Sequence, residues 1–81
     1  MRLDKYLQVS RLIKRRALAN AFCDGGHVDI NGRPAKAASA VAEGDVLELD
    51  FGHRKVRVRV LLVPERPQQG KAAASALYEE M

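Results

Sequence analysis

A chain of 81 residues has room for one small domain and none for a catalytic domain beside a binding module. Hydrophobic residues at 47% and charged residues at 30% make a globular composition rather than a disordered one. No apolar run nears the roughly 20 residues of a membrane span, MRLDKYLQ is no signal peptide, and one cysteine without ligand-spaced neighbours offers neither a disulfide nor a zinc site. A soluble, cytoplasmic protein with no membrane contact, no metal and no cofactor is expected.

The net charge of +4 is unevenly spread. Residues 1–16 carry Arg2, Lys5, Arg11, Lys14, Arg15 and Arg16 against Asp4 alone. Residues 37–52 carry only Glu43, Asp45, Glu48 and Asp50, and Arg54, Lys55, Arg57 and Arg59 form a second basic block. Such segregation points to a polyanionic partner.

In chain order, Leu3 and Leu7 at i, i+4 predict a first amphipathic helix of about two turns, and Ser10 offers a cap or turn hydroxyl. A second helix is predicted from about Lys14 to Asp24, with Leu18, Ala19, Phe22 and Cys23 as its apolar stripe, stopped by Gly25-Gly26. Lys14, Arg15 and Arg16 then crowd its first turn. The helix dipole favours anions there, so cations in that position imply that something negative docks.

Val28 and Ile30 alternate with polar neighbours, and Asn31-Gly32 predicts a tight hairpin turn with positive φ at both positions. Pro34 confines the returning strand at Arg33 to an edge. Residues 35–43 read as a loop with one turn. A strand over Val46 to Phe51 puts Leu47, Leu49 and Phe51 on one face, and a half-buried strand over Lys55 to Val63 sets Val56, Val58 and Val60 against Lys55, Arg57 and Arg59. Residues 64–70, PERPQQG, read as a linker, and KAAASALYEEM as a short C-terminal helix or tail. The division is a domain over residues 1–63 and an appendage over 64–81. The fold class expected is α+β, with two basic helices packed on a small, mainly antiparallel sheet.

No carboxylate pair, nucleophile elbow or glycine-rich phosphate loop is present, and no enzymatic activity is expected. The chemistry lies in the cations. Arginine meets phosphate with a planar two-pronged donor and lysine adds a point charge. Asp4, between Arg2 and Lys5, reads as a residue that orients a basic side chain or caps the first helix. Tyr6 reads as packing against the hairpin, with stacking on a base as the alternative. Cys23 reads as a small core residue, and His27 and His53 as turn or surface residues. Arg57 and Arg59 read as a solvated strand face or edge protection, with a second RNA or protein contact as the alternative.

The ordered motifs RLDKYL, SRLIKRRALA, GGHVDINGRPAK and VAEGDVLEL resemble the RNA-binding domain of small-subunit ribosomal protein four, the S-four domain or αL motif, over about residues 1–62. The resemblance implies an RNA face made of Arg2, Lys5, Arg11, Lys14, Arg15 and Arg16, with Asn31, Arg33 and Lys36 at its edge. The VSRLIKRR stretch is similar to short stand-alone members of the family that serve ribosome-associated quality control. That implies partners in large ribosomal subunit rRNA, peptidyl-tRNA and an RqcH-type factor that adds C-terminal alanine, with the chain acting as a monomer. AAASALYEE is similar to the heat-shock branch of the family, whose members bind dissociated large subunits carrying nascent chains. The long basic extension of that branch is missing here, which favours the quality-control branch. A small helix-turn-helix-like DNA binder is a third reading of the same cations.

Overall fold

The computed structural model describes residues 1–63 and 77–81. Its elements are α1 (Leu3–Val9), α2 (Arg16–Asp24), β1 (Val28–Ile30), β2 (Arg33–Pro34), β3 (Val46–Asp50), β4 (Lys55–Val60) and β5 (Tyr78–Glu80). The strands form one antiparallel sheet in the order β2-β1-β3-β4-β5. The α+β class and the antiparallel sheet are as expected.

Strict alternation makes the sheet two-faced. In β4, Val56, Val58 and Val60 are buried while Lys55, Arg57 and Arg59 are exposed. In the paired β3, Leu47 and Leu49 are buried opposite Val58 and Val56. Val28 of β1, opposite Leu49, extends this apolar face, and onto it pack Leu3, Tyr6 and Leu7 of α1 and Ala19 and Cys23 of α2. Burying a leucine side chain contributes about 1.5–3 kcal/mol, so this small set supplies most of the driving force for folding.

Turn chemistry sets the register. Asn31 and Gly32 have φ of 53° and 84°, the left-handed pair that a two-residue turn between β1 and β2 needs. The Asn31 side chain also donates to Asp45 (3.1 Å) and accepts from the Val46 N–H (3.0 Å), tying the hairpin to the start of β3. Pro34 sits on the edge strand, where its missing N–H breaks no ladder bond.

Residues 35–43 form the expected loop and turn, and they do more than connect. The Leu3 and Asp4 N–H groups, among the first-turn donors a helix leaves unpaired, donate to Ser39 O (2.8 Å) and Ala37 O (3.2 Å). Arg2 bridges Ala40 in the same antiparallel contact. The entry into α1 is thereby pinned to the body of the molecule.

Several expectations are corrected. α2 begins at Arg16, with extended Arg15 as its N-cap, so Lys14 and Arg15 precede the helix. Leu18 is 58% exposed: the buried face of α2 narrows to Ala19 and Cys23, because α1 covers only one side of it. β4 ends at Val60. The end of the segment read as a helix is a strand: β5 pairs with β4, Tyr78 opposite Val60 and Glu79 opposite Arg59. The open edge of β4 outweighs the helix-forming composition, and Leu77, 2% exposed, fills the core beside it. Leu77 O accepts from the Tyr6 hydroxyl (2.7 Å) and the Leu61 N–H (2.8 Å). The linker read over residues 64–70, and residues 71–76, lie outside the described residues.

Candidate nucleic-acid interface

The two helices pack against each other around one buried carboxylate. Asp4 is 2% exposed. Its Oδ1 accepts from Arg2 Nε (3.1 Å) and its Oδ2 from Asn20 Nδ2 (3.1 Å), while Arg16 Nε stands 3.7 Å from Oδ2. Burial raises the Asp4 pKa, but the hydrogen bonds from Asn20 and Arg2 and the charges of Arg2 and Arg16 outweigh it, and the pKa lies below the ordinary 3.8. The carboxylate therefore stays ionised.

The consequence is orientation. Arg2 and Arg16 come from separate helix starts, yet they converge on the same anion with side chains still 50% and 48% exposed. One carboxylate held by two guanidiniums leaves a net positive charge and donor groups facing outward, in a geometry fixed before any ligand arrives. Preorganised donors lose less side-chain freedom on binding phosphate than free ones do. Asp4 thus does what its position suggested. Asn20 is the residue the sequence reading missed: a poor helix former in mid-helix, four residues after Arg16, was its only signal.

Around this pair stand the other expected cations. Arg11, Lys14 and Arg15 are exposed on the connection between the helices and Lys5 is half-buried on α1; none makes an ion pair among the described residues. No side chain caps the N-terminus of α2, and its first turn holds no acid, so its amide donors and the flanking cations favour the same kind of ligand.

Arg11 carries a second peculiarity, a φ of 68°. It stands just past the C-cap Ser10, where glycine is the usual residue, and its N–H bonds Gln8 O (3.1 Å) while Ile13 N–H reaches back to Leu7 O (3.1 Å). An arginine held in the left-handed region costs about 1–2 kcal/mol relative to its normal conformation.

The three edge residues divide. Arg33 is exposed on β2. Lys36 Nζ reaches the carbonyl of Asp24 (3.4 Å), the last residue of α2, so it stands at the opposite end of that helix from Arg16. The Asn31 amide is occupied in the turn contacts with Asp45 and Val46. Lys36 and Asn31 thus have structural partners of their own, and Lys36 precedes Ala37, whose carbonyl accepts the Asp4 N–H (3.2 Å).

Half of the second basic block, Arg57 and Arg59, is neutralised. Arg57 donates to Glu48 (2.9 Å) and Arg59 to Glu79 (3.2 Å), and β4, which carries both arginines, is an inner strand with no edge to protect. These exposed pairs are worth about 0–1 kcal/mol each, but they cancel the field on that face. Tyr6 is fully buried with its hydroxyl bonded, so no base can stack on it. Burial, with the Asp4 and Asp24 charges, raises the Cys23 thiol to about 11. It is therefore an inert core residue at neutral pH.

A basic face made by two short helices against a small antiparallel sheet defines a compact RNA-binding domain. The S4 domain model matches residues 1–47, and the chain belongs to the S4 domain family. A protein from Halalkalibacterium halodurans named RQC P-site tRNA stabilizing factor is 51% identical over 79 residues, covering 98% of this chain and 88% of its own. A protein of the same name from Bacillus subtilis is 49% identical over 73 residues, covering 90% of this chain and 85% of its own. Among solved structures, a trimeric heat shock protein 15 from Vibrio cholerae superposes with a TM-score of 0.87 at 33% identity, over 100% of this chain and 81% of that one.

Proposed function

We propose that this protein is a non-catalytic RNA-binding adaptor. It acts in ribosome-associated quality control, holding peptidyl-tRNA against rRNA on an obstructed large ribosomal subunit while an RqcH-type factor adds C-terminal alanine. The observation that carries the reading is the shared Asp4 carboxylate, which presents Arg2 and Arg16 outward as a fixed pair among exposed cations. The names of the relatives at 51% and 49% identity support the tRNA as the ligand. Phosphate contacts set the position, and the shape of folded RNA selects the site, since A-form grooves hide most base edges. The protein contributes by occupying a place and works as a monomer.

Isolation from growing cells followed by identification of RNA and protein tests this. Large-subunit rRNA, tRNA and the alanine-tailing factor are expected together. The resemblance to heat shock protein 15 favours a second reading, a recycling factor for large subunits that carry nascent chains; recovery of large subunits with translation factors and no tailing factor would select it.

A further inference from the structure

At the far end of α2 from Arg16, four side chains from two segments of the chain form a column, an unbroken series of stacked contacts. Phe22 stacks on His27 with centroids 5.1 Å apart and rings inclined by 22°. Phe51 stacks on the same Phe22 ring, also at 5.1 Å and inclined by 29°. Arg54 lies over Phe51, 5.8 Å from the ring centre. The two phenylalanines are half-buried, whereas His27 and Arg54 are exposed.

Gly25 is part of this arrangement for reasons of space. A Cβ there would stand 3.1 Å from His27 Cδ2 and 3.1 Å from the Ala21 carbonyl, so a side chain at this position would crowd the imidazole and shift it by a few tenths of an ångström. Packing alone explains why the two phenylalanines cover the end of the core. It does not explain a polar ring and a guanidinium continuing the stack into solvent.

The charge beside the column is also distinct. Arg57 and Arg59 are matched by Glu48 and Glu79, but His53 and Arg54 on the turn after Phe51, and Lys55 at the start of β4 opposite Asp50, make no ion pair among the described residues. Asp50, the nearest acid in sequence, spends Oδ1 on the Gly52 N–H (2.8 Å) within that turn. An exposed ring near Arg54 and Lys55, which lack ion-pair partners among the described residues, offers what an unstacked nucleotide requires: a π-face for the base and charge for its phosphates.

We infer that this column is a second RNA contact, in which the outer face of His27 stacks an unpaired base and the turn of His53, Arg54 and Lys55 holds the adjoining phosphates. It rests on the RNA-binding reading above and adds a ligand class to it, a single-stranded nucleotide beside a folded RNA. Phe22 follows Arg16 by six residues, about 9 Å along the helix, so one RNA can touch both ends.

The test uses the full chain and an RNA hairpin with 2-aminopurine in an unpaired bulge, whose fluorescence falls when the base stacks. Wild type is expected to quench the probe. His27→Ala and Arg54→Glu should weaken binding about five- to a hundredfold, the range of one lost base stack, and abolish quenching, while His27→Phe retains both. If His27→Ala fails to melt cooperatively, the exposed Arg54→Glu decides the matter alone. Wild-type affinity and quenching in Arg54→Glu would overturn the inference, as would retained RNA binding with loss of a co-purified protein, which would make the column a protein contact. Arg16→Ala is run alongside on large subunits. If it loses binding while Arg54→Glu matches wild type, only the column is wrong; if it binds normally, the RNA-binding face itself is wrong.

Discussion

Asp4 illustrates how a single buried charge can serve an exposed surface. Its folded pKa lies below 3.8, so the ionised form is favoured by folding. The stability it contributes is complete above the unfolded value and is lost as pH falls through the folded one. Asp4→Asn is therefore expected to cost about 1–3 kcal/mol at pH 7 and progressively less below pH 3.8, measured by urea unfolding at both ends of that range. An equal cost at pH 7 and pH 2 would show that the loss is steric. Arg11 makes the opposite case, a residue kept where it is strained. Arg11→Gly relieves a left-handed backbone and should stabilise the domain by up to about 1 kcal/mol, while RNA affinity falls several-fold. Titration of RNA alongside thermal unfolding checks both signs together. The sequence revealed Asp4 as an orienting residue because one acid among six cations is conspicuous. It could not reveal the strain at Arg11, since nothing in SRLIKRR marks positive φ in the absence of glycine.

Among the elements, α1 is held from three directions. The loop over residues 37–39 caps its first turn, the Asp4 cluster joins it to α2, and Tyr6 bonds Leu77 beside β5. Tyr6→Phe removes the last of these. Leu77 O keeps the Leu61 N–H, so no buried carbonyl is orphaned, and the expected cost is about 0.5–1.5 kcal/mol. Hydrogen exchange should show the loss as faster exchange in β5 than in β3. Equal protection of β5 in mutant and wild type would mean that strand pairing with β4 is sufficient by itself. The elements that alternate strictly, β3 and β4, were legible from sequence, as were the Asn31-Gly32 turn and the edge position of Pro34. β5 was not, because YEE has no strand pattern; it pairs only because β4 offers a free ladder and Leu77 a place in the core. The start of α2 is hidden in the sequence for a related reason: Lys14 and Arg15 are good helix formers, but the Arg11 turn precedes them and the helix begins only at Arg16. Leu18 belongs to the periodic stripe and yet faces solvent, since periodicity cannot say how wide a partner covers the helix.

For the whole molecule, the two basic blocks differ in what opposes them. Arg57 and Arg59 are matched across the sheet by Glu48 and Glu79, whereas the six cations of residues 1–16 share Asp4 alone. This asymmetry was only half visible in the sequence, where both blocks look alike; strand register supplies the difference. If about five cations of the helix face neutralise phosphates, affinity for structured RNA should fall by roughly 500-fold between 50 and 200 mM salt on the duplex slope. A loss of less than about tenfold would reduce the phosphate contacts to fewer than two on the same slope. The central claim is that the Arg2 and Arg16 pair, rather than basic charge in general, places the protein on its RNA. Co-sedimentation with peptidyl-tRNA-bearing large subunits at physiological salt tests it most directly, comparing Arg16→Glu with Arg57→Gln. The account predicts that Arg16→Glu is lost from the subunit fraction while Arg57→Gln stays bound. Retention of Arg16→Glu at wild-type levels would contradict it.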